Sequence, residues 1–98
     1  MKEVTTFEAM IADLQSLKKD CDLHIAFYVL GHEAYIDTWI KLDKVIFEDN
    51  SLYLRDSNFD TTTWINYLEG SIDKRTDDNK VSYELYYKHA NITITYPV

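Results

Sequence analysis

The side chains able to do chemistry are few. One cysteine, Cys21, stands three residues before His24 in "CDLH", and His32 and His89 lie elsewhere. Cysteine and histidine at that spacing can begin a zinc site, but a structural zinc needs four ligands in two pairs. No second pair exists, so no metal site is expected. As a nucleophile Cys21 is poorly placed, because Asp20 and Asp22 flank it and negative neighbours raise a thiol pKa. It reads as filler of a small apolar gap. No Gly-x-Ser-x-Gly elbow is present. Two glycines, Gly31 and Gly70, leave no glycine-rich loop to hold a phosphate. Seventeen acids make adjacent pairs such as Glu48-Asp49 and Asp77-Asp78 inevitable, and these read as solvated turn residues. The expectation is a protein that is not an enzyme and carries no cofactor.

What remains is aromatic. The chain has eight tyrosines and two tryptophans, four of the tyrosines in the last eighteen residues. Tyr35 and Trp39 share a strand face with Asp37 and Lys41. Tyr28 and His24 fall on the face opposite the apolar side of their own segment, and Tyr86 lies between Glu84 and Lys88. Rings that stack nucleic acid bases alternate with lysine and arginine along a basic groove. Here acids are at least as common as bases. Tyrosine and tryptophan among charges suit a protein interface instead, although cross-strand ring pairs also stabilise a wet sheet face with no partner. Val81, Tyr83, Leu85 and Tyr87 read as core wall; Tyr86, with Tyr96 beside it, is assigned to the open face.

The elements that must position these residues follow from periodicity. "TTFE" reads as a capping box between Thr5 and Glu8. Phe7, Met10, Ile11, Leu14 and Leu17 continue as one apolar stripe, giving a helix over 6–19. The period then drops to two. Leu23, Ile25, Phe27 and Val29 alternate with His24, Ala26, Tyr28 and Leu30, and "GHE" turns the chain. Ile36, Ile40 and Leu42 alternate with Tyr35, Asp37, Trp39 and Lys41. "KVIFEDNSLYLRD" reads as a hairpin turning at Asp49, Asn50 and Ser51. Residues 60–70 are read as a short helix capped at Asp60 or Thr61, with a strand as the alternative. Asp73 to Lys80 is polar throughout and reads as an exposed loop. The last two segments, from Val81 and from Asn91, alternate as strands, and Pro97 suits a strand end. The predicted fold is therefore α+β: an N-terminal helix packed on one face of a mainly antiparallel sheet of about five to six strands. One domain, 1–98, is expected from the length.

Net charge is −7, seventeen acids against ten bases. That disfavours direct contact with nucleic acid phosphates or with anionic membranes. The first residues lack the apolar run of a signal peptide, no apolar stretch is long enough to span a bilayer, and a lone cysteine suits a reducing compartment. The expected location is the cytoplasm. Residues 31–60 hold seven acids (Glu33, Asp37, Asp43, Glu48, Asp49, Asp56, Asp60) against three bases (Lys41, Lys44, Arg55).

The functional expectation is a small acidic, non-catalytic protein-binding module engaging a basic protein surface, with a nucleic-acid-binding protein as the partner type. Size, charge and layout are similar to those of phage and mobile-element accessory inhibitors, anti-CRISPR and other anti-defence proteins among them. In such a role Asp37, Asp43, Glu48, Asp49 and Asp56 would imitate phosphates, with Tyr35, Trp39 and Tyr86 adding contact area. Two alternatives stand beside it. One is a structural protein that dimerises through an open sheet face or edge. The other is a small-ligand binder with a pocket near Cys21, His24 and Tyr28.

Overall fold

The computed structural model describes residues 1–31, 34–58 and 61–98. Among these the chain forms β1 (Lys2–Thr6), α1 (Phe7–Gln15), β2 (Cys21–Val29), β3 (Ala34–Glu48), β4 (Ser51–Asp56), β5 (Thr61–Asn66), β6 (Ser71–Thr76), β7 (Lys80–Tyr86) and β8 (Ala90–Pro97). All strands belong to one antiparallel sheet in the order β1-β6-β7-β8-β2-β3-β4-β5. Two meanders, β2–β5 and β6–β8, join where β8 pairs with β2, and β1 adds to β6.

This overturns the α+β expectation. Of the described residues 66% are strand, in eight strands with one short helix. Three segments account for the difference. Lys2–Thr6, ahead of the helix, is a strand paired with β6. Residues 60–70, preferred as helix, contain β5, paired along its length with β4. Asp73 to Lys80, read as a loop, is largely β6 and its turn. In the opposite sense, the two strands expected over 34–48 are one fifteen-residue strand. It is interrupted by a register shift between Leu42 and Lys44, which makes Asp43 a bulge residue. The "GHE" turn at His32 and Glu33 and the cap at Asp60 lie outside the described residues.

The helix begins one residue later than the capping box implied. Thr6, extended at φ −122°, is the cap, and its hydroxyl accepts the Ala9 N–H at 3.2 Å. Glu8 instead accepts a hydrogen bond from the Tyr67 hydroxyl. The helix ends at Gln15, so Lys18 and Lys19 fall beyond it. Phe7, Met10, Ile11 and Leu14 are all buried.

Connectivity forces the sheet to curl. In a flat sheet β5 and β6 would stand six strand spacings apart, about 29 Å. Four residues, Tyr67 to Gly70, join them, and that reach is about 17 Å when fully extended. Closing this gap brings the two ends of the sheet together around α1. The bulge at Asp43 bends β3 for the same purpose. Beyond it Val45 and Phe47 turn onto the helix, where Phe47 meets Phe7 at 6.0 Å and Tyr67 meets Phe7 at 5.1 Å. The concave face collects Leu23, Ile25, Ile40, Leu42, Leu52, Leu54, Ile65, Ile72, Val81, Tyr83, Leu85, Ile92, Ile94 and Tyr96 around the helix stripe in one core. Tyr96 is thus part of the core wall, in phase with Ile92 and Ile94, and not of the open face. The β3–β4 turn has Asp49 and Asn50 both at positive φ (52° and 59°), the mirror-image turn that matches strand twist. No helix among the described residues is long and apolar enough to cross a membrane.

Candidate functional site

Two places gather polar or aromatic side chains: the convex face over β2 and β3, and the contact of helix and sheet at Asp13.

On the convex face the β2–β3 register sets Tyr28 opposite Tyr35, Ala26 opposite Asp37 and His24 opposite Trp39. The His24 and Trp39 rings stack at 4.4 Å with 26° between their planes. His24 Nε2 lies 3.5 Å from the Asp37 carboxylate without a hydrogen bond. Lys41 pairs with Asp22 at 2.6 Å, one step along the same face. Ala26 is small, and Thr93 and Thr95 of β8 lie beside it. The rings therefore stand above a low saddle. Trp39 is 66% exposed, Tyr35 57% and Tyr28 42%. A shallow hollow of about 250 Å³ opens beside Trp39, lined by Asp22, Lys80, Thr95 and Pro97 among others. Tyr86 is on the same face of β7, its hydroxyl bonded to Glu84, and that bond is the main reason its pKa is pushed up to about 12.

The acids expected to act with these rings are not one array. Asp37 faces His24. Asp43, in the bulge, pairs with Lys19 at 3.7 Å and Arg55 at 3.6 Å. Glu48 and Asp49 sit exposed at the hairpin end. Asp56 is only 3% exposed and accepts the Asn58 N–H at 2.8 Å, so it closes a turn from inside and presents no charge to a partner. The alternation Leu52, Leu54, Asp56 places it on the concave side.

The three residues expected to share a pocket, Cys21, His24 and Tyr28, stand on opposite faces of β2: His24 and Tyr28 on the convex face, Cys21 packed against the core. Burial, with Asp22 beside it, raises the Cys21 thiol pKa. Its alkylation by iodoacetamide at pH 7.5 is expected to run slower than that of an unstructured cysteine peptide and to equal it once the protein is unfolded in urea. A native rate above the peptide's would mark an activated thiol.

The second cluster was invisible in the sequence because its members come from α1, β6, β7 and β8. Asp13 Oδ2 accepts from Lys74 Nζ at 3.0 Å and from the Tyr83 hydroxyl at 2.5 Å. Tyr83 and Tyr96 share a 3.2 Å hydroxyl contact. The Lys74 ammonium lies 5.6 Å from the Tyr83 ring centre. Burial, with the Asp13 bond, pushes the Tyr83 hydroxyl far up. The hydrogen bond to Asp13 raises Lys74. For Asp13 partial burial acts upward, but the bonds from Tyr83 and Lys74 outweigh it and the carboxyl is lowered. A lysine or tyrosine that acts as a base or nucleophile needs a lowered pKa to lose its proton. Here each group is held in its resting charge state, which is the signature of a lock between helix and sheet. Among the described residues no cluster of three or more histidine, cysteine or acidic side chains could hold a metal ion.

No protein-family model, curated protein or solved structure matches the chain.

Proposed function

We propose that this chain is a non-catalytic protein-binding module whose contact surface is the convex face of β2 and β3. The observation that carries the reading is the ladder of Tyr28, Tyr35 and Trp39, which stays exposed on one face while Leu23, Ile25, Ile40 and Leu42 of the same two strands are buried on the other. Large rigid rings beside a hollow, bordered by Asp22, Asp37 and Lys41, have the make-up of an interface centre. The proposed partner is a folded protein with a basic surface, because a net charge of −7 steers association with such partners. A nucleic-acid-binding protein is the natural class. The proposal places the module in the cytoplasm, where the lone thiol stays reduced. The pairing of Asp43 with Lys19 and Arg55 and the burial of Asp56 make ring contact, more than phosphate imitation, the source of affinity.

The test is capture from lysate of the encoding organism by immobilised protein, comparing the native chain with Tyr35→Ala/Trp39→Ala. A basic protein held by the native chain, released at high salt and bound at least ~30-fold more weakly by the variant, is the expected result. Equal retention by both would remove the convex face as the site. Light scattering on the same samples separates the alternative: a dimer that the double variant dissolves would make the partner a second copy.

A further inference from the structure

The two edges of the sheet are built differently. β1 carries Lys2 and Glu3 within its five residues, charges that deter a further strand. β5, "TTTWIN", has no charge, proline or bulge over Thr61–Asn66. An edge so undefended is a template for strand addition unless something covers it.

Which of its amides are free follows from the ladder. Tyr67 donates its N–H to Asn50 O at 2.9 Å, which continues the β4–β5 pairing. Hydrogen-bonded positions alternate along an antiparallel strand, so Ile65 and Thr63 also face β4. Thr62, Trp64 and Asn66 then turn their backbone groups to the open side. The Asn66 carbonyl is taken by the Tyr87 hydroxyl at 2.5 Å. The amides of Thr62 and Trp64 and the N–H of Asn66 have no protein partner among the described residues.

Trp64 and Asn66 open onto a cleft of about 540 Å³ with β5 on one side and the Tyr87–Ala90 turn on the other, and Thr62 continues the same edge beyond it. Its floor is apolar, from Ile65 and Ile92. Its far wall carries Lys88 and His89, and no acid is among its described lining residues, in a chain that is otherwise strongly acidic. Lys88 makes no ion pair among the described residues. The Tyr87–Ala90 turn facing β5 suits a single added strand better than the sheet edge of a second folded copy.

We propose that the β5 edge and this cleft receive an extended acidic peptide segment of a partner protein as a ninth strand. Main-chain bonds to Thr62, Trp64 and Asn66 would hold about five residues of it. Alternate side chains would rest on Ile65 and Ile92, and a carboxylate would meet Lys88. This site lies apart from the convex ring face and does not depend on it.

The probe is an acetylated, amidated peptide, Thr-Val-Glu-Val-Thr-Val-Thr. Its controls are the same peptide with lysine for glutamate and one N-methylated at alternate residues, which cannot pair as a strand. The glutamate peptide is expected to bind and to slow hydrogen exchange at the Thr62 and Trp64 amides. Lys88→Glu should weaken it about tenfold, and Trp64→Pro, which removes an outward N–H that the fold leaves unused, should weaken it further. Equal binding of the lysine or N-methylated peptide, or no binding of the glutamate peptide, would overturn the proposal. So would a native dimer that Trp64→Pro converts to monomer, since the edge would then belong to a second copy. Tyr35→Ala/Trp39→Ala should leave peptide binding unchanged, which separates this site's failure from that of the convex face.

Discussion

Phe7→Ala is expected to lower the unfolding free energy by about 3–5 kcal/mol, the range for deleting a fully buried phenylalanine. Phe7 has no exposed surface and stands at the first position of α1. Its ring is wedged between Phe47, brought inward by the bulge in β3, and Tyr67, in the crossing from β5 to β6. Three distant parts of the chain therefore close on one side chain. A nine-residue helix is too short to persist alone in water, so α1 depends on this packing, and the curled sheet depends on α1 to fill it. A domain of this size has about 5–15 kcal/mol in total. The melting temperature should fall by roughly 12–40 °C, at about 4–8 °C per kcal/mol. Urea denaturation followed by circular dichroism measures it, with Val4→Ala as a control, since Val4 is 70% exposed. A cost for Phe7→Ala below about 1 kcal/mol, typical of an average substitution, would show that the helix is an accessory and that the sheet closes without it.

Alternation made β2, β4, β7, β8 and the Ile40–Leu42 stretch of β3 legible, because there one face is buried and the side-chain period is two. The missed strands lack that mark. β6 has one apolar residue on its buried face, Ile72, followed by Lys74, whose place inside comes from Asp13 on the helix. No local signal announces such a strand. β1 was hidden behind the Thr5–Glu8 capping signature, which does not form: Thr6 is the cap and Glu8 is bonded to Tyr67. In β5 the β-branched run spoke for a strand, while Trp64, Ile65 and Leu68 happened to fall at helical spacing; pairing with β4 decided the contest. The orientation of Tyr35, Asp37 and Trp39 on a solvent-facing side was readable from the apolar phase of their neighbours. The same rule, applied to Leu52, Leu54, Asp56 and to Ile92, Ile94, Tyr96, would have placed Asp56 and Tyr96 inside. The β5 edge and the Asp13 cluster were beyond any such reading, because both arise from strand order.

Removing the lock between helix and sheet should be the next most damaging change. Tyr83→Phe keeps the ring in the core and deletes only the hydroxyl that joins Asp13 and Tyr96. Asp13→Ala removes the acceptor shared by Tyr83 and Lys74. Each is expected to cost about 1.5–3 kcal/mol, as for hydrogen bonds to charged groups. The double variant should cost at least 1 kcal/mol less than the sum, since the two delete one interaction. The pH dependence gives an independent check. The folded state lowers the Asp13 carboxyl from its ordinary 3.8, so its contribution is complete above that value and is lost as pH falls through the lower folded value. It raises the Tyr83 hydroxyl above 10, so that contribution is complete below pH 10 and is lost as pH rises toward the folded value. Lys74, raised by Asp13, loses its part in the same alkaline direction. The gap in stability between native protein and Asp13→Ala should therefore be flat from about pH 5 to 9 and shrink below pH 4. Tyr83→Phe should flatten the alkaline limb. Simple additivity of the two substitutions, or a gap that widens in acid, would mean that Asp13 and Tyr83 act separately and that helix and sheet are held by apolar packing alone.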